Sequence, residues 1–341
     1  MDGMIPERMR ASVMDRPMSV SIQDRPTPAP GPGDVLVQVR AVGVCGSDVH
    51  WYTEGRIGST VVSAPLVLGH EASGRVVALG NGVRDDLLGQ RVSIEPGVPC
   101  RRCQQCHRGK YNLCPNMRFM ATPPIDGAFA EYVVMPADFL YPVPDSVSDD
   151  AAALLEPLSV GIWSNQQGGV GPGSRVLITG AGPIGLVALQ VARAFGAGEV
   201  LVSDISPERL AVAESFGAIP VDGRTADLSD AAVDSVLECS GAPAAIATGF
   251  RAAGPSARVV LVGMGPAEVS VPLEVIQQRE LVVTGTFRYA NTWPLALDLV
   301  VRGAVDLDAL VTGHFGLAQA VDALDAGKDP RQIKAIVNPA D

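Results

Sequence analysis

The sequence predicts an α/β protein in which a doubly wound parallel sheet accompanies a mainly β region. From about residue 172 onward, short apolar strands alternate with helix-length segments, which is typical of a parallel sheet covered on both faces. Residues before about 157 contain many Gly and Pro breaks and few helical periods, which favours β structure. The 341 residues exceed the roughly 250–300 at which single hydrophobic cores stop growing, so we expect two domains.

The first region contains two clear strands. Residues 35–44 are rich in β-branched side chains and partly alternate, so they predict a strand that ends at Cys45. Residues 91–95 predict a second, shorter strand, and residues 334–337 predict one more near the end of the chain.

The second region begins with a buried strand at 175–179. A glycine turn follows at 180–185, and residues 186–195 predict a helix that is closed by Gly196. The units that come next are strand 200–202, helix 207–216, strand 235–238, helix 244–253 and strand 258–262. Beyond residue 288 the alternation becomes irregular.

Charge and composition exclude several kinds of partner. The net charge is −11 and the isoelectric point is about 4.9, so the surface repels phosphate backbones and anionic lipids. We therefore expect neither nucleic acid nor a membrane as partner. Residues 1–8 lack an apolar signal core, and no apolar run is long enough to span a bilayer. These features predict a cytoplasmic protein whose six cysteines are thiols or metal ligands.

The glycine turn has the context of a dinucleotide site. Gly180, Gly182 and Gly185 follow a strand and open a helix, and Asp204 lies at the end of the next strand, as the fingerprint requires. The phosphates would meet backbone N–H groups at the positive end of the helix dipole. Because Asp204 accepts hydrogen bonds from ribose hydroxyls and repels a 2′-phosphate, the sequence predicts NAD rather than NADP. The alternative is an ordinary Gly-rich turn.

Cys45, His70 and Glu71 predict a catalytic metal site. A thiolate, an imidazole and a carboxylate are the ligand types of open zinc sites, in which a position remains for water or substrate. Glu156 is a further carboxylate, either a fourth ligand or a group that holds the water at the metal. Taken singly, Cys45 is better explained as a buried apolar thiol and His70 as a satisfied core histidine. Together, beside a dinucleotide turn, the four residues predict a metal.

A second metal site is predicted in a loop rich in Gly, Arg and Pro. Its four cysteines are spaced C-x2-C-x2-C-x7-C, and they are Cys100, Cys103, Cys106 and Cys114. Four thiolates make a closed tetrahedral site, so its role would be structural. Iron is an alternative to zinc, and reactive thiols or disulfides are the alternative to a metal. Cys239 is predicted to be a small core residue.

These motifs resemble those of the zinc-dependent medium-chain dehydrogenases over essentially the whole chain. The general family is indicated by residues 69–74 with Gly80 and by the glycine turn. The sorbitol/xylitol (polyol) dehydrogenase branch is indicated by residues 45–50, 121–127, 156–161 and 287–294.

The resemblance implies a fold and a division of the chain. It implies a mainly β, GroES-like catalytic domain at 1–157, a Rossmann NAD-binding domain inserted at 158–288, and a return to the catalytic domain at 289–341. The active site would lie in the cleft between them. Family habit implies a homotetramer, less often a homodimer.

The resemblance also implies the roles of individual residues. Cys45, His70 and Glu71 would bind the catalytic zinc, with Glu156 contacting the water or substrate there. The residues implied to contact NAD are Gly180, Gly182, Ile184, Gly185, Asp204, Arg209, Val262, Gly263, Met264, Phe287 and Arg288. The residues implied to line the polyol pocket are Ser47, Trp51, Phe119, Glu156, Arg288 and Tyr289. Arg288 has an alternative role, a cofactor-phosphate or interdomain contact.

The predicted reaction is zinc-assisted oxidation of a polyol to a ketose, with hydride transfer to NAD⁺. Ser47 and His50 are the candidates for passing the alcohol proton to solvent. The same chemistry on L-threonine, idonate or a simple primary alcohol is the nearest alternative. A non-catalytic zinc and dinucleotide binder is an alternative of another class, and the identity of the metal in the cell is open.

Overall fold

The structure is a computed structural model that describes residues 5–340. The residues group into two compact units, one formed by 5–156 with 307–340 and the other by 157–306. The boundaries drawn from the sequence at 157 and 288 stay predictions. The expected absence of a signal segment falls partly on residues 1–4, which lie outside the described residues. No helix of the described part is long and apolar enough to cross a membrane.

The first unit consists largely of short strands. Its strands before residue 157 are β1 (Arg8–Arg16), β2 (Ser19–Pro26), β3 (Asp34–Gly43), β4 (Arg56–Ile57), β5 (Thr60–Val61), β6 (Leu66–Val67), β7 (Glu71–Leu79), β8 (Arg91–Ile94), β9 (Gly97–Val98), β10 (Arg118–Phe119), β11 (Tyr132–Pro136) and β12 (Leu140–Pro142). Its helices here are α1 (Gly46–Glu54), α2 (Gln104–His107) and α3 (Asp149–Ala153). Helix α4 (Leu155–Gly168) leads into the second unit.

The second unit alternates strands and helices. Its strands are β13 (Arg175–Thr179), β14 (Glu199–Asp204), β15 (Ile219–Asp222), β16 (Val233–Glu238), β17 (Ala253–Leu261) and β18 (Val282–Gly285). Its helices after α4 are α5 (Pro183–Ala194), α6 (Pro207–Ser215), α7 (Pro243–Ala252), α8 (Leu273–Gln278) and α9 (Trp293–Val301). The chain then returns to the first unit with β19 (Val311–Gly316), α10 (Ala320–Asp325) and β20 (Lys334–Asn338).

Strand β3 is the centre of the first unit. Its main sheet has seven strands in the order β12-β8-β7-β3-β20-β19, and β11 also pairs with β3. Buried side chains such as Val37, Val42, Phe129 and Val337 fill the core on this sheet. Strands β7 and β20 are both antiparallel to β3. The end of β3 therefore lies beside the beginnings of both neighbouring strands.

The second unit is a doubly wound parallel sheet. All its strand pairs are parallel, in the order β15-β14-β13-β16-β17-β18. Because the chain runs outward in both directions from β13 and β16, the strand order reverses between these two strands. Ligands of such sheets bind at the carboxyl ends of the strands at this point. The predicted fold class is confirmed by this topology and by the relatives described below.

Candidate functional site

The ends of two neighbouring strands bring together the predicted metal ligands of the first unit. Cys45 follows β3, His70 directly precedes β7, and Glu71 is the first residue of β7. The register pairs Gly43 with Glu71, so the antiparallel pairing places both segments at one end of the sheet. One ligand atom each of Cys45, His70 and Glu71 lies within 4.8 Å of the others. A Cβ atom on Gly43 would lie 2.0 Å from Glu71 Oε2, so the glycine leaves room for this carboxylate.

Two further charged side chains support this cluster, and the sequence reasoning missed both. Asp48 is fully buried, and its carboxylate accepts from the backbone N–H groups of Cys45 (3.0 Å) and Gly69 (2.9 Å). Its Oδ1 lies 3.6 Å from His70 Nδ1, which is ion-pair rather than hydrogen-bond distance. Lys334, at the start of β20, donates to Glu71 Oε1 at 2.6 Å and to the Val44 carbonyl at 2.8 Å.

Neighbouring negative charges raise the pKa values of the two buried bases in this cluster, His70 and Lys334. Burial alone would lower the pKa of His70, but the charges of Asp48 and Cys45 raise it well above its ordinary value. Burial alone would likewise lower the pKa of Lys334, but the charges of Glu71, Cys45 and Glu156 raise it. Each of these two buried cations therefore lies beside a carboxylate, His70 beside Asp48 and Lys334 beside Glu71.

The cluster fits a zinc ion on its own chemistry. Its donor set of sulfur, nitrogen and oxygen is one that catalytic zinc sites use. Glu71 is buried, and both of its carboxylate oxygens contact Lys334 Nζ, at 2.6 Å from Oε1 and 2.5 Å from Oε2. One lysine leaves acceptor positions of this carboxylate unused, and a metal ion would occupy one of them.

The first unit contains five further residues with predicted roles. Glu156 is buried, at 5 % exposure, and its charge helps to raise the pKa of Lys334. The ring of Phe119 lies 5.5 Å from that of His70 and is buried. Trp51 is also buried, on α1. Ser47 and His50 lie on the same helix and are half-buried.

The four loop cysteines also meet, with sulfur atoms within 4.8 Å of one another. The backbone N–H of Arg102 lowers the pKa of Cys100 to about 6, and the N–H of Cys100 donates to Cys114 Sγ at 3.3 Å. Backbone donors aimed at sulfur favour thiolates, the form that binds metal. All six cysteines are free thiols. Cys239 is half-buried, and burial raises the pKa of its thiol.

The glycine turn of the second unit has the geometry that a dinucleotide needs. Gly180 adopts φ +94°, and a Cβ atom on Gly185 would lie 1.8 Å from the Gly180 carbonyl oxygen. Asp204 accepts from Ala181 N at 2.6 Å and from Ser206 N at 2.8 Å. This carboxylate therefore fixes the glycine turn to the end of the next strand.

The remaining predicted cofactor and substrate residues lie in the same unit. Phe287 and Met264 are 57 % and 50 % exposed. Arg288 has a left-handed φ of 58° and lies over the Phe287 ring at 4.7 Å. Tyr289 is buried and packs on the Trp293 ring at 5.2 Å. Ile184 and Arg209 are half-buried on α5 and α6, and Val262 and Gly263 follow β17.

Comparison with known proteins extends over almost the whole chain. Residues 31–145 match the alcohol dehydrogenase GroES-like domain and residues 183–302 match the zinc-binding dehydrogenase family. Sorbitol dehydrogenase of Rattus norvegicus is 43 % identical over 95 % of this chain and 94 % of its own length. That of Bacillus subtilis (strain 168) is 42 % identical over 94 % of both. L-idonate 5-dehydrogenase from Escherichia coli superposes with TM-score 0.91 at 29 % identity, covering 97 % of this chain and 98 % of its own.

The relatives confirm the predicted enzyme class, an oxidoreductase that acts on alcohols, and the predicted reaction and cofactors, zinc and NAD. One matched domain lies in each unit, and the two sorbitol dehydrogenases are similar over 94 % and 95 % of the chain. The chain therefore belongs to the zinc-dependent medium-chain dehydrogenases, in the polyol dehydrogenase branch.

Proposed function

We propose that the protein oxidises a polyol of the sorbitol or xylitol type to the ketose, and that Cys45, His70 and Glu71 hold the zinc ion. The observation that carries this proposal is the convergence of these three ligand atoms within 4.8 Å. When bound, zinc acts as a Lewis acid that lowers the pKa of an alcohol, and NAD⁺ accepts the hydride. The chain's own residues position these groups and move the proton.

Asp48 and Lys334 prepare the ligands. Asp48 faces Nδ1 of His70, which leaves Nε2 as the nitrogen for the metal; such a carboxylate fixes the orientation of a histidine ligand. Lys334 Nζ lies 2.6 Å from Oε1 and 2.5 Å from Oε2 of Glu71, so it balances the charge of the carboxylate that we propose to bind the metal. We infer that Glu71 is a direct ligand and that Glu156 acts on the substrate oxygen or a water molecule.

Ser47 and His50 provide the path for the proton. They are three residues apart on α1, and residues at this spacing are neighbours on one helix face. The His50 ring contacts the Glu54 carboxylate at 2.8 Å, where both side chains are about half exposed. Ser47 can therefore take the alcohol proton from the buried side, and His50 can release it to solvent.

The polyol preference is proposed to come from the residues predicted to line the polyol pocket. Trp51 and Phe119 supply buried ring surfaces, whereas Glu156, Arg288 and Tyr289 supply polar groups for hydroxyls. A site built to hydrogen-bond hydroxyl groups strongly rejects analogues that lack them. Arg288 has a second possible partner in a cofactor phosphate, because Arg binds phosphate readily.

The proposed preference for NAD over NADP depends on Asp204. Its carboxylate is held by Ala181 N and Ser206 N beside the glycine turn, and its charge opposes a 2′-phosphate. Arg209 lies close to this turn, since its Nη1 would be 4.0 Å from a Cβ atom on Gly182. It would contribute a positive charge to pyrophosphate binding.

We also propose that the protein is a homo-oligomer, a tetramer or a dimer. Strand β18 is an edge of the described sheet, and Val282 and Val283 on it are 43 % and 40 % exposed. Exposed apolar edge strands favour pairing with another chain. Light scattering on the purified protein tests this, with Val283→Asp expected to lower the mass.

A cytoplasmic location is supported by the free thiols of the four-cysteine loop, which a reducing compartment preserves. Cell fractionation tests it directly.

The decisive experiment follows NADH formation by the purified protein with NAD⁺ and a panel of alcohols. The panel contains sorbitol, xylitol, L-idonate, L-threonine and a simple primary alcohol. Turnover on a polyol that is lost in Cys45→Ala supports the proposal. L-idonate is the second candidate because the E. coli enzyme of that name shares this fold, and turnover on L-idonate or another panel member alone would replace the polyol. If no alcohol is oxidised although zinc and NAD are bound, the enzyme proposal is wrong.

A further inference from the structure

Glu238, the last residue of β16, is a buried carboxylate that none of the predicted roles includes. It is 1 % exposed. Its Oε1 accepts from Ser240 N at 2.9 Å, from Gly241 N at 3.0 Å, from Thr179 Oγ1 at 3.2 Å and from the Ser240 hydroxyl. Its Oε2 also faces Gly241 N, at 3.1 Å. Hydrogen bonds to an ionised acceptor are about twice as strong as neutral ones.

The main chain of Glu238 makes a second set of contacts. Its carbonyl oxygen accepts from Val262 N and from Gly263 N, both at 2.8 Å. Thr179 directly precedes the glycine turn, so Glu238 connects three loops. Its side chain binds the glycine turn, through Thr179, and the loop after β16. Its backbone carbonyl binds the loop after β17.

The three loops pack so closely that their relative positions depend on these bonds. A Cβ atom on Gly180 would lie 3.0 Å from Ser240, and one on Gly263 would lie 2.2 Å from Gly241 N. A Cβ atom on Gly241, whose φ is +70°, would lie 2.1 Å from the Met264 carbonyl oxygen. Because the backbones of these loops are in direct contact, a shift of Ser240–Gly241 would also displace the glycine turn and the loop after β17.

The loops lie on a defined side of the dinucleotide site. In a doubly wound sheet the dinucleotide crosses the point where the strand order reverses, here between β13 and β16. Asp204 at the end of β14 marks the side that binds the adenosine ribose. The loops after β16 and β17 are on the other side, which receives the nicotinamide half.

We propose that Glu238 is a positioning residue for the nicotinamide half of the dinucleotide site, which it builds by holding the loops after β13, β16 and β17 together. The inference rests on the proposed function, since it requires a dinucleotide at this edge of the sheet. It deepens that function because it gives a role to the buried Glu238 carboxylate. Glu238 would shape the surface on which the nicotinamide ring lies.

The test compares two ligands by isothermal titration calorimetry on the zinc-loaded protein. NAD⁺ contains both halves of the dinucleotide, whereas ADP-ribose lacks the nicotinamide. Glu238→Gln keeps the shape and one acceptor oxygen but removes the charge, so the Kd for NAD⁺ is expected to rise about tenfold. The Kd for ADP-ribose should stay within about twofold, because the Ser203 carbonyl and the Asp204 carboxylate still hold the glycine turn through Gly180 N and Ala181 N.

Asp204→Asn is the matched control on the adenosine side of the point where the strand order reverses. It removes a carboxylate of the adenosine side, so it should weaken both ligands by a similar factor. Ser240→Ala removes one donor and leaves the carboxylate; it should show the same split as Glu238→Gln to a smaller degree, and it decides the question if Glu238→Gln does not fold.

The outcomes separate this inference from the proposed function. Selective loss of NAD⁺ affinity in the Glu238 or Ser240 variant, with zinc content unchanged, supports the positioning role. Equal losses for both ligands, or no loss, overturn it while leaving the dinucleotide function intact. A wild-type protein that binds neither ligand overturns both.

Discussion

Gly43→Ala is the change that most directly tests how the metal cluster is built. The added Cβ atom would lie 2.0 Å from Glu71 Oε2, whereas ordinary contact begins at about 3.4 Å. The carboxylate has little room to move away, because Lys334 Nζ contacts both of its oxygens and Leu154 Cδ2 would lie 3.0 Å from the same Cβ atom. Overpacking of this kind costs about 1–3 kcal/mol, and the strain falls on a metal ligand.

The expected result is a loss of zinc before a loss of fold. Displacing the groups around a ligand costs about 10–100-fold in metal affinity, so we expect the zinc Kd of Gly43→Ala to rise by that factor. Competition with a chromogenic chelator measures it, and mass spectrometry of the metal content verifies the stoichiometry. NADH formation should fall in the zinc-limited preparation and recover partly with added zinc.

Gly46→Ala is the matched control, since a Cβ atom on Gly46 meets nothing within 4 Å. It adds the same methyl group one residue beyond Cys45 and should leave zinc binding unchanged. If Gly43→Ala binds zinc as tightly as Gly46→Ala, Glu71 does not lie where we describe it, and the reasoning fails.

Three further changes probe other parts of the molecule. Gly185→Ala would put a Cβ atom 1.8 Å from the Gly180 carbonyl oxygen, so calorimetry should show a NAD⁺ Kd raised at least about tenfold, whereas Gly171→Ala, with open space, should not. Burial raises the pKa of Glu95 above its ordinary 4.5 although two tyrosine hydroxyls donate to it. The Glu95 carboxyl therefore contributes fully to stability below pH 4.5, and this contribution is lost as the pH rises through the pKa of Glu95 in the folded protein. Urea unfolding should show that the free energy of unfolding depends less on pH in Glu95→Gln than in the wild type, and an unchanged pH dependence would contradict this. Asp48→Asn removes the charge beside a histidine ligand and should weaken zinc binding about 10–100-fold in the chelator assay; unchanged affinity would exclude its supporting role.

The sequence predicted best the features that depend on local pattern. Strand β13 has the bounds that were expected, and the helix after the glycine turn closes before Gly196. Both depend on a short run of apolar residues next to a residue with a special backbone conformation. The four-cysteine cluster was predictable for the same reason, since its ligands lie within one loop.

Features that depend on partners distant in the chain were not predictable from pattern. Lys334 is one of few lysines, in a strand of otherwise apolar residues, yet nothing in its surroundings identifies Glu71 as its partner, 263 residues away. Short strands such as β15 and β18 have exposed side chains, so they lack the alternation that marks a half-buried strand. Glu238 was not predicted because most of the hydrogen bonds to its carboxylate come from backbone N–H groups, which carry no residue-type signal.

The buried Lys334–Glu71 pair provides a last prediction, in which metal and lysine share one carboxylate. Removing one partner of a buried ion pair costs about 3–5 kcal/mol, because a buried charge is left uncompensated. In Lys334→Met without zinc, the buried charge of Glu71 is left uncompensated, so the zinc-free variant should be strongly destabilised. With zinc bound, the metal compensates the carboxylate and the cost should be smaller. Zinc should therefore raise the unfolding temperature of Lys334→Met by more than it raises that of the wild type, as differential scanning calorimetry of metal-free and zinc-loaded samples would measure. An equal rise in both would mean that zinc and Lys334 act independently and that the metal does not contact the Glu71 carboxylate.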